Sequence, residues 1–206
     1  VAGAQREVSI VLFDGFELLD VFGPVELLTV FPDLFSVTLV GPEVGAVRSN
    51  QGPEVVATQG YRTAVAGDIV LVPGGLGTRR LVADRDFLSW LAAFSARAEL
   101  VTSVCTGSAL LAAAGLLDGY RATSNKRAFR WAAEYGSDVT WVAQARWVQD
   151  RDRWTSSGVA AGMDMTVALM RFLHGPDVAD EASAFVEFEA QRDPDQDAFA
   201  QLNALL

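Results

Sequence analysis

The chain has a single cysteine, Cys105, and a single histidine, His174. One thiol excludes an intramolecular disulfide framework and any metal site built from several cysteines, and it fits a reducing compartment better than an oxidising one. The cytoplasm is therefore the expected location. The histidine lies in "RFLHGPD", at the end of a helical stretch, where a cation interacts favourably with the last carbonyls. That position argues against a Cys-His-Asp triad. Basic residues are also few: 16 Lys and Arg stand against 26 Asp and Glu, for a net charge of −10, and they are scattered. Such a surface offers no general attraction to nucleic-acid phosphates. No apolar run reaches the roughly 20 residues that a membrane helix needs, and the opening "VAGAQREV" lacks the layout of a secretory signal. The expected partner is a small molecule, with neither nucleic acid nor membrane.

Apolar residues, by contrast, make up 50% of the 206 positions, enough for one sizeable core and hence one domain over residues 1–206. Short β-branched runs, "VSIVLF" (8–13), "FSVTLV" (35–40), "DIVLVPGG" (68–75) and "LVTSV" (100–104), read as strands covered on both faces. Helical spacing fills the gaps between them. "FELLDVFGPVELLTVF" carries Pro24, which would kink a helix or begin a second one. "DRDFLSWLAAFSARA" (84–98) is amphipathic. "AVRSN" and "EVVAT" flank Gly52-Pro53 as a hairpin. Later come a helix over "NKRAFRWAAEYG", two strands in "VTWVAQARWVQD" and "RWTSSG", two closing helices, and a polar tail from about Arg192. The alternation predicts an α/β fold whose mostly parallel sheet carries helices on both faces. In such sheets sites form beyond the carboxyl ends of the strands, which singles out residues 14–20, 73–77 and 103–107.

Cys105 stands where a strand turns directly into a helix, followed by Thr106 and Gly107. This is the layout of a nucleophile elbow, in which a sharp turn lifts a side chain over a helix N-terminus. Free N–H groups there would lower the thiol pKa; the alternative is a small buried hydrophobe. Gly74 and Gly75, just past another strand end, let backbone N–H groups approach a reacting atom and with the Thr106 N–H would form an oxyanion-type pocket. Taken alone, "PGG" reads rather as a plain strand-terminating turn. In the first loop, Asp20 is flanked by Leu18, Leu19, Val21 and Phe22. A carboxylate in such company needs a partner or a purpose. Burial would raise its pKa and keep it protonated, as a proton donor or as a core hydrogen-bonding group.

Together "LLDVFGP", "VPGG", "SVCTGSALLAAAGLLDGYRATS" and "WTSSGVAAGMDMTVALM" resemble the ThiJ/PfpI superfamily, the class I glutamine-amidotransferase-like domains. The likeness covers about residues 8–190 and is nearest to isonitrile hydratases, and it extends to the domain preceding an AraC-type module in some regulators. The resemblance implies a flavodoxin-like three-layer sandwich, a homodimer, and neither metal nor organic cofactor. It also implies roles: Cys105 as nucleophile, Thr106 as a residue holding substrate or the attacking water, and Asp20 as the aspartate of the "LD..GP" motif. The implied reaction is hydration of R–N≡C to an N-substituted formamide, in a pocket including Phe16, Trp131 or Trp154. One departure is visible. Hydratases of this kind carry "ATTHW" where this chain has "ATSNKRAFRW", with Asn125 in the histidine's place. Two alternatives use the same cysteine: a cofactor-independent glyoxalase-like enzyme, and a non-enzymatic redox or stress sensor.

Overall fold

A computed structural model describes residues 5–206. Part of the opening segment read above for a leader, residues 1–4, lies outside the described residues. In chain order the elements are β1 (Arg6–Val11), α1 (Leu18–Leu28), β2 (Phe35–Gly41), β3 (Gly45–Arg48), β4 (Glu54–Ala57), β5 (Gln59–Gly60), β6 (Ile69–Val72), α2 (Thr78–Leu81) and α3 (Arg85–Ser95). They continue with β7 (Leu100–Ser103), α4 (Gly107–Ala113), β8 (Arg121–Ala122), α5 (Phe129–Ala132), β9 (Thr140–Trp141), β10 (Trp147–Asp150), β11 (Arg153–Ser156), α6 (Ala161–His174), α7 (Pro176–Phe185) and α8 (Ala198–Leu202).

Seven strands form the main sheet in the order β10-β11-β7-β6-β1-β2-β5. All neighbours run parallel except β10 and β11, which form an antiparallel hairpin at one edge. The central strands explain the sequence runs: every residue of β6 and of β7 is buried, as expected where both sheet faces are covered. Helices α1, α6 and α7 pack together, as do α2, α3 and α4. The predicted hairpin is present as a separate two-stranded sheet of β3 and β4. From β1 the chain moves outward to β2, then returns to add β6 and β7 on the other side. That reversal puts the loops after β1, β6 and β7 side by side at the carboxyl edge.

Some elements depart from the sequence expectation, each for a local reason. Helix α1 runs through Pro24 without a break; the ring removes only the bond to the Asp20 carbonyl, and the preceding Gly23 lets α1 press against Met163 of α6. The helix expected over 125–136 shrinks to α5, because Asn125 Oδ1 accepts the Ala128 N–H at 3.0 Å and Lys126 turns inward onto Thr123 Oγ1 and the Ala145 carbonyl. The first long strand expected after it splits into β9 and β10, since Val142 bonds Ala122 and Arg146 bonds Pro194. The tail from Arg192 contains α8, whose start Asp197 caps by accepting the Phe199 N–H at 3.0 Å. His174 ends α6 with its ring edge-on to Phe35, 5.0 Å between centroids, and burial lowers its pKa. It packs as an aromatic group rather than serving as the expected helix-end cation. None of the described helices is long and apolar enough to cross a membrane.

Candidate active site

Two loops are stitched together before any reactive group is placed. Glu17 donates its N–H to the Gly74 carbonyl at 2.8 Å, and Gly77 donates to the Gly15 carbonyl at 3.1 Å. The contact is too close for side chains: a Cβ on Gly75, whose φ is +125°, would lie 2.3 Å from the Gly15 oxygen. This stitching brings the first turn of α1, with Asp20, onto the loop after β6. A second close approach fixes the elbow. A Cβ on Gly107 would sit 2.1 Å from the Val72 oxygen, so only glycine lets α4 start directly against the end of β6.

Cys105 occupies the turn between β7 and α4 with φ +57°, a left-handed conformation that costs a non-glycine residue about 1–2 kcal/mol. The surroundings hold it there. Its N–H donates to the Ser157 carbonyl at 3.2 Å, and its carbonyl accepts from Ser108 Oγ at 3.1 Å and Ser124 Oγ at 3.0 Å. The residue is only 6% exposed. Around the sulfur are the carboxyl of Asp20, the N–H and hydroxyl of Thr106, and the amide of Asn125. Gly158 leaves the room they need, because a Cβ there would come within 3.0 Å of the sulfur and 2.0 Å of Asn125 Nδ2.

Asp20 is completely buried. Its Oδ2 accepts the Gly74 N–H at 2.7 Å, while Oδ1 is buried without a nitrogen or oxygen partner. Burial pushes the carboxyl up to about 8, against the pull of the Gly74 N–H; Glu17 adds to the rise and hydrogen bonding with Cys105 opposes it. At neutral pH the acid carries its proton. The thiol is also pushed up, well above its ordinary value, by burial first and by the Asp20 charge second; the Thr106 N–H, the Asn125 amide and the Thr106 hydroxyl pull the other way and do not prevail. This reverses the expectation from helix position. A helix N-terminus contributes about 1 kcal/mol, whereas full burial shifts a group by several pKa units.

Cys105, Asp20, Thr106, Gly74 and Gly75 are thus all at one place, though the glycine donors are not free. The Gly74 N–H is engaged by Asp20, and the Gly75 N–H donates to Thr106 Oγ1 at 3.1 Å. The Thr106 hydroxyl also meets Thr78 Oγ1 at 3.2 Å. In this structure the glycine N–H groups orient the acid and the threonine instead of opening onto a vacant oxyanion position. Of the aromatic residues expected around a pocket, Phe16 and Trp154 are core residues. Trp131 is half-buried beneath Arg79. Sequence reasoning missed Gly158 and Thr78 as neighbours of the site and noted Asn125 only as a departure; "SSG" closing a strand was the available signal for Gly158.

Comparison with other proteins identifies relatives of this chain. The isonitrile hydratase of Pseudomonas putida is 33% identical over 182 residues, covering 88% of this chain and 78% of that protein. The HTH-type transcriptional regulator GbdR of Pseudomonas aeruginosa is 31% identical over 195 residues, covering 91% of this chain and 52% of its own length. The chain therefore spans about half of that regulator. A crystal structure of a ThiJ/PfpI family protein from Pseudomonas syringae matches with a TM-score of 0.81 at 31% identity, over 92% of this chain and 78% of that one. Drosophila melanogaster DJ-1beta matches with a TM-score of 0.77 over 90% of this chain and 99% of its own, and at 18% identity speaks for the fold alone. The pattern of the DJ-1/PfpI family matches residues 6–172, spanning the sheet, the elbow and the carboxyl facing it, and the chain belongs to that family.

Proposed function

We propose that the protein is a cysteine-dependent hydratase that adds water to isonitriles, with Cys105 as nucleophile, Asp20 as proton donor and Thr106 holding substrate or water. The observation that carries the reading is the pair itself: a buried thiol beside a buried carboxylic acid that keeps its proton at neutral pH. An isonitrile accepts nucleophile and proton on the same terminal carbon, so a neutral acid next to a neutral thiol suits it better than a separated ion pair would. In the first step the Asp20 proton moves to that carbon while sulfur forms the C–S bond. The thiol proton passes to the Asp20 carboxylate, leaving R–N=CH–S–Cys105. Water then adds across C=N, with hydrogen to nitrogen and hydroxyl to carbon. The C–S bond breaks, the sulfur recovers a proton, and R–NH–CHO departs. No charge is stranded in the dry site at either end of the cycle. The likeness to the P. putida hydratase supports this chemistry.

The test uses isonitriles labelled with 13C at the terminal carbon and follows the formyl signal by NMR. Wild-type protein is expected to give formamide. Cys105→Ala is expected to give none, and Asp20→Asn to be slower by about 100-fold or more. Absence of formamide from methyl, cyclohexyl and aryl isonitriles overturns the reading. The homodimer implied by resemblance belongs to the same proposal; light scattering giving one chain's mass would remove it.

The regulator match favours a second reading, in which the site around Cys105 senses a ligand without converting it. Saturable binding of an isonitrile or a related electrophile, with no product formed and no second domain required, would support that reading over the first.

A further inference from the structure

Arg79 and Trp131 stack on one another, next in sequence or structure to groups that meet the elbow. The guanidinium carbon of Arg79 lies 3.3 Å from the centroid of the Trp131 ring. Arg79 follows Thr78, whose hydroxyl is 3.2 Å from that of Thr106. Trp131 belongs to α5, which follows the turn that Asn125 caps with its Oδ1 while its amide acts on the Cys105 sulfur. The stack therefore joins the two segments that flank the thiol. Face-on stacking uses the flat surface of the guanidinium and leaves its in-plane N–H donors available, and among the described residues no ion pair engages them. Partial burial lowers the guanidinium's pKa, and Tyr135, Cys105 and Glu134 oppose that effect. The cation is thus within electrostatic range of the sulfur. Below about pH 8 Asp20 is neutral, so the acid of the elbow sets no negative charge against an arriving anion.

We propose that the Arg79–Trp131 stack is an anion-selecting portal, which draws small carboxylate-bearing electrophiles to Cys105 ahead of neutral ones of the same size. The guanidinium fork takes the carboxylate in its plane, and Trp131 keeps that plane fixed. The portal acts on whatever approaches the sulfur, so it stands or falls separately from isonitrile hydration.

The single cysteine makes the test direct. Iodoacetate and iodoacetamide are close in size, differ in charge, and react alike: thiolate sulfur forms a bond to the methylene carbon as iodide leaves. The rate of Cys105 alkylation by each is followed by intact mass, and their ratio is normalised to that of a free thiol. In Arg79→Met the iodoacetate-to-iodoacetamide ratio is expected to fall about threefold to tenfold, and high salt is expected to produce a similar fall in wild type. Arg97→Met, an exposed arginine beyond α3, serves as the control and should leave the ratio in place. An unchanged ratio in Arg79→Met overturns the proposal. Where the folded protein resists both reagents, the 15N–1H signal of the Arg79 guanidinium, identified by its loss in Arg79→Met, is titrated with propionate and with propionamide. A saturating shift with propionate alone carries the proposal, and no shift overturns it.

Discussion

Gly74 donates its backbone N–H to Oδ2 of Asp20 at 2.7 Å, while its own α-carbon is pressed against the elbow on the other side. One residue without a side chain therefore sets the distance between acid and thiol. A Cβ there would lie 2.6 Å from both the nitrogen and the hydroxyl of Thr106, and 2.9 Å from the Cys105 Cβ. Gly74→Ala is expected to displace the elbow, lower the melting temperature and abolish turnover. Thermal unfolding together with the formamide assay checks this, and a Gly74→Ala variant that stays fully active and equally stable would contradict the packing described.

Asp20 ties stability to pH. The unfolded carboxyl ionises near 3.8 and the folded one near 8. Between those values the folded chain holds a proton that the unfolded chain has released, so the contribution of Asp20 to stability is greatest below about pH 4 and is lost as pH rises towards 8. Asp20→Asn removes that dependence. Relative to wild type the variant should gain melting temperature steadily between pH 4 and pH 8, by several degrees at the upper end. A constant difference across that range would mean that Asp20 is not held protonated.

Thiol titration reads the other half of the pair. The pH midpoint for alkylation of Cys105 is expected to lie above the ordinary thiol value of 9.0. In Asp20→Asn the midpoint should fall, because the carboxylate charge that opposes thiolate formation is gone. In Asn125→Ala it should rise, because a donor to the sulfur is lost. At neutral pH the same elevation predicts slow oxidation by mild peroxide, measured by mass, which weighs against the redox-sensor reading.

The left-handed backbone at Cys105 predicts an unusual order of substitutions. Glycine elsewhere costs chain entropy relative to alanine, but at φ +57° it relieves strain. Cys105→Gly should therefore be more stable than Cys105→Ala by about 1 kcal/mol, as denaturant unfolding would show. Both variants should lack turnover, so stability and activity separate cleanly at this position.

Much of this was legible from local pattern. The buried strands announced themselves as unbroken β-branched runs, and Cys105-Thr106-Gly107 announced the elbow, because close helix-on-strand packing needs a glycine there. Asp20 stood out because its immediate neighbours are apolar and the carboxylate is not. What the pattern could not carry was the protonation state of the thiol. That depends on how completely segments far along the chain, at Asn125 and Gly158, enclose the sulfur, and no local spacing encodes enclosure. The engagement of the Gly74 and Gly75 donors was hidden for a similar reason: their acceptors come from residues 20 and 106. The truncated α5 was missed because Lys126 looks like a surface residue in sequence, whereas here it is 3% exposed with its pKa lowered to about 8 by burial.

The segments that follow β1, β6 and β7 each contribute one part of the candidate site, and those strands, with β6 lying between the other two, form the middle of the main sheet. A partly folded intermediate lacking any of them has no assembled candidate site. The sulfur is consequently a built-in reporter of cooperativity: its labelling in rising denaturant should follow disassembly of the whole sheet rather than fraying at the β10–β11 edge.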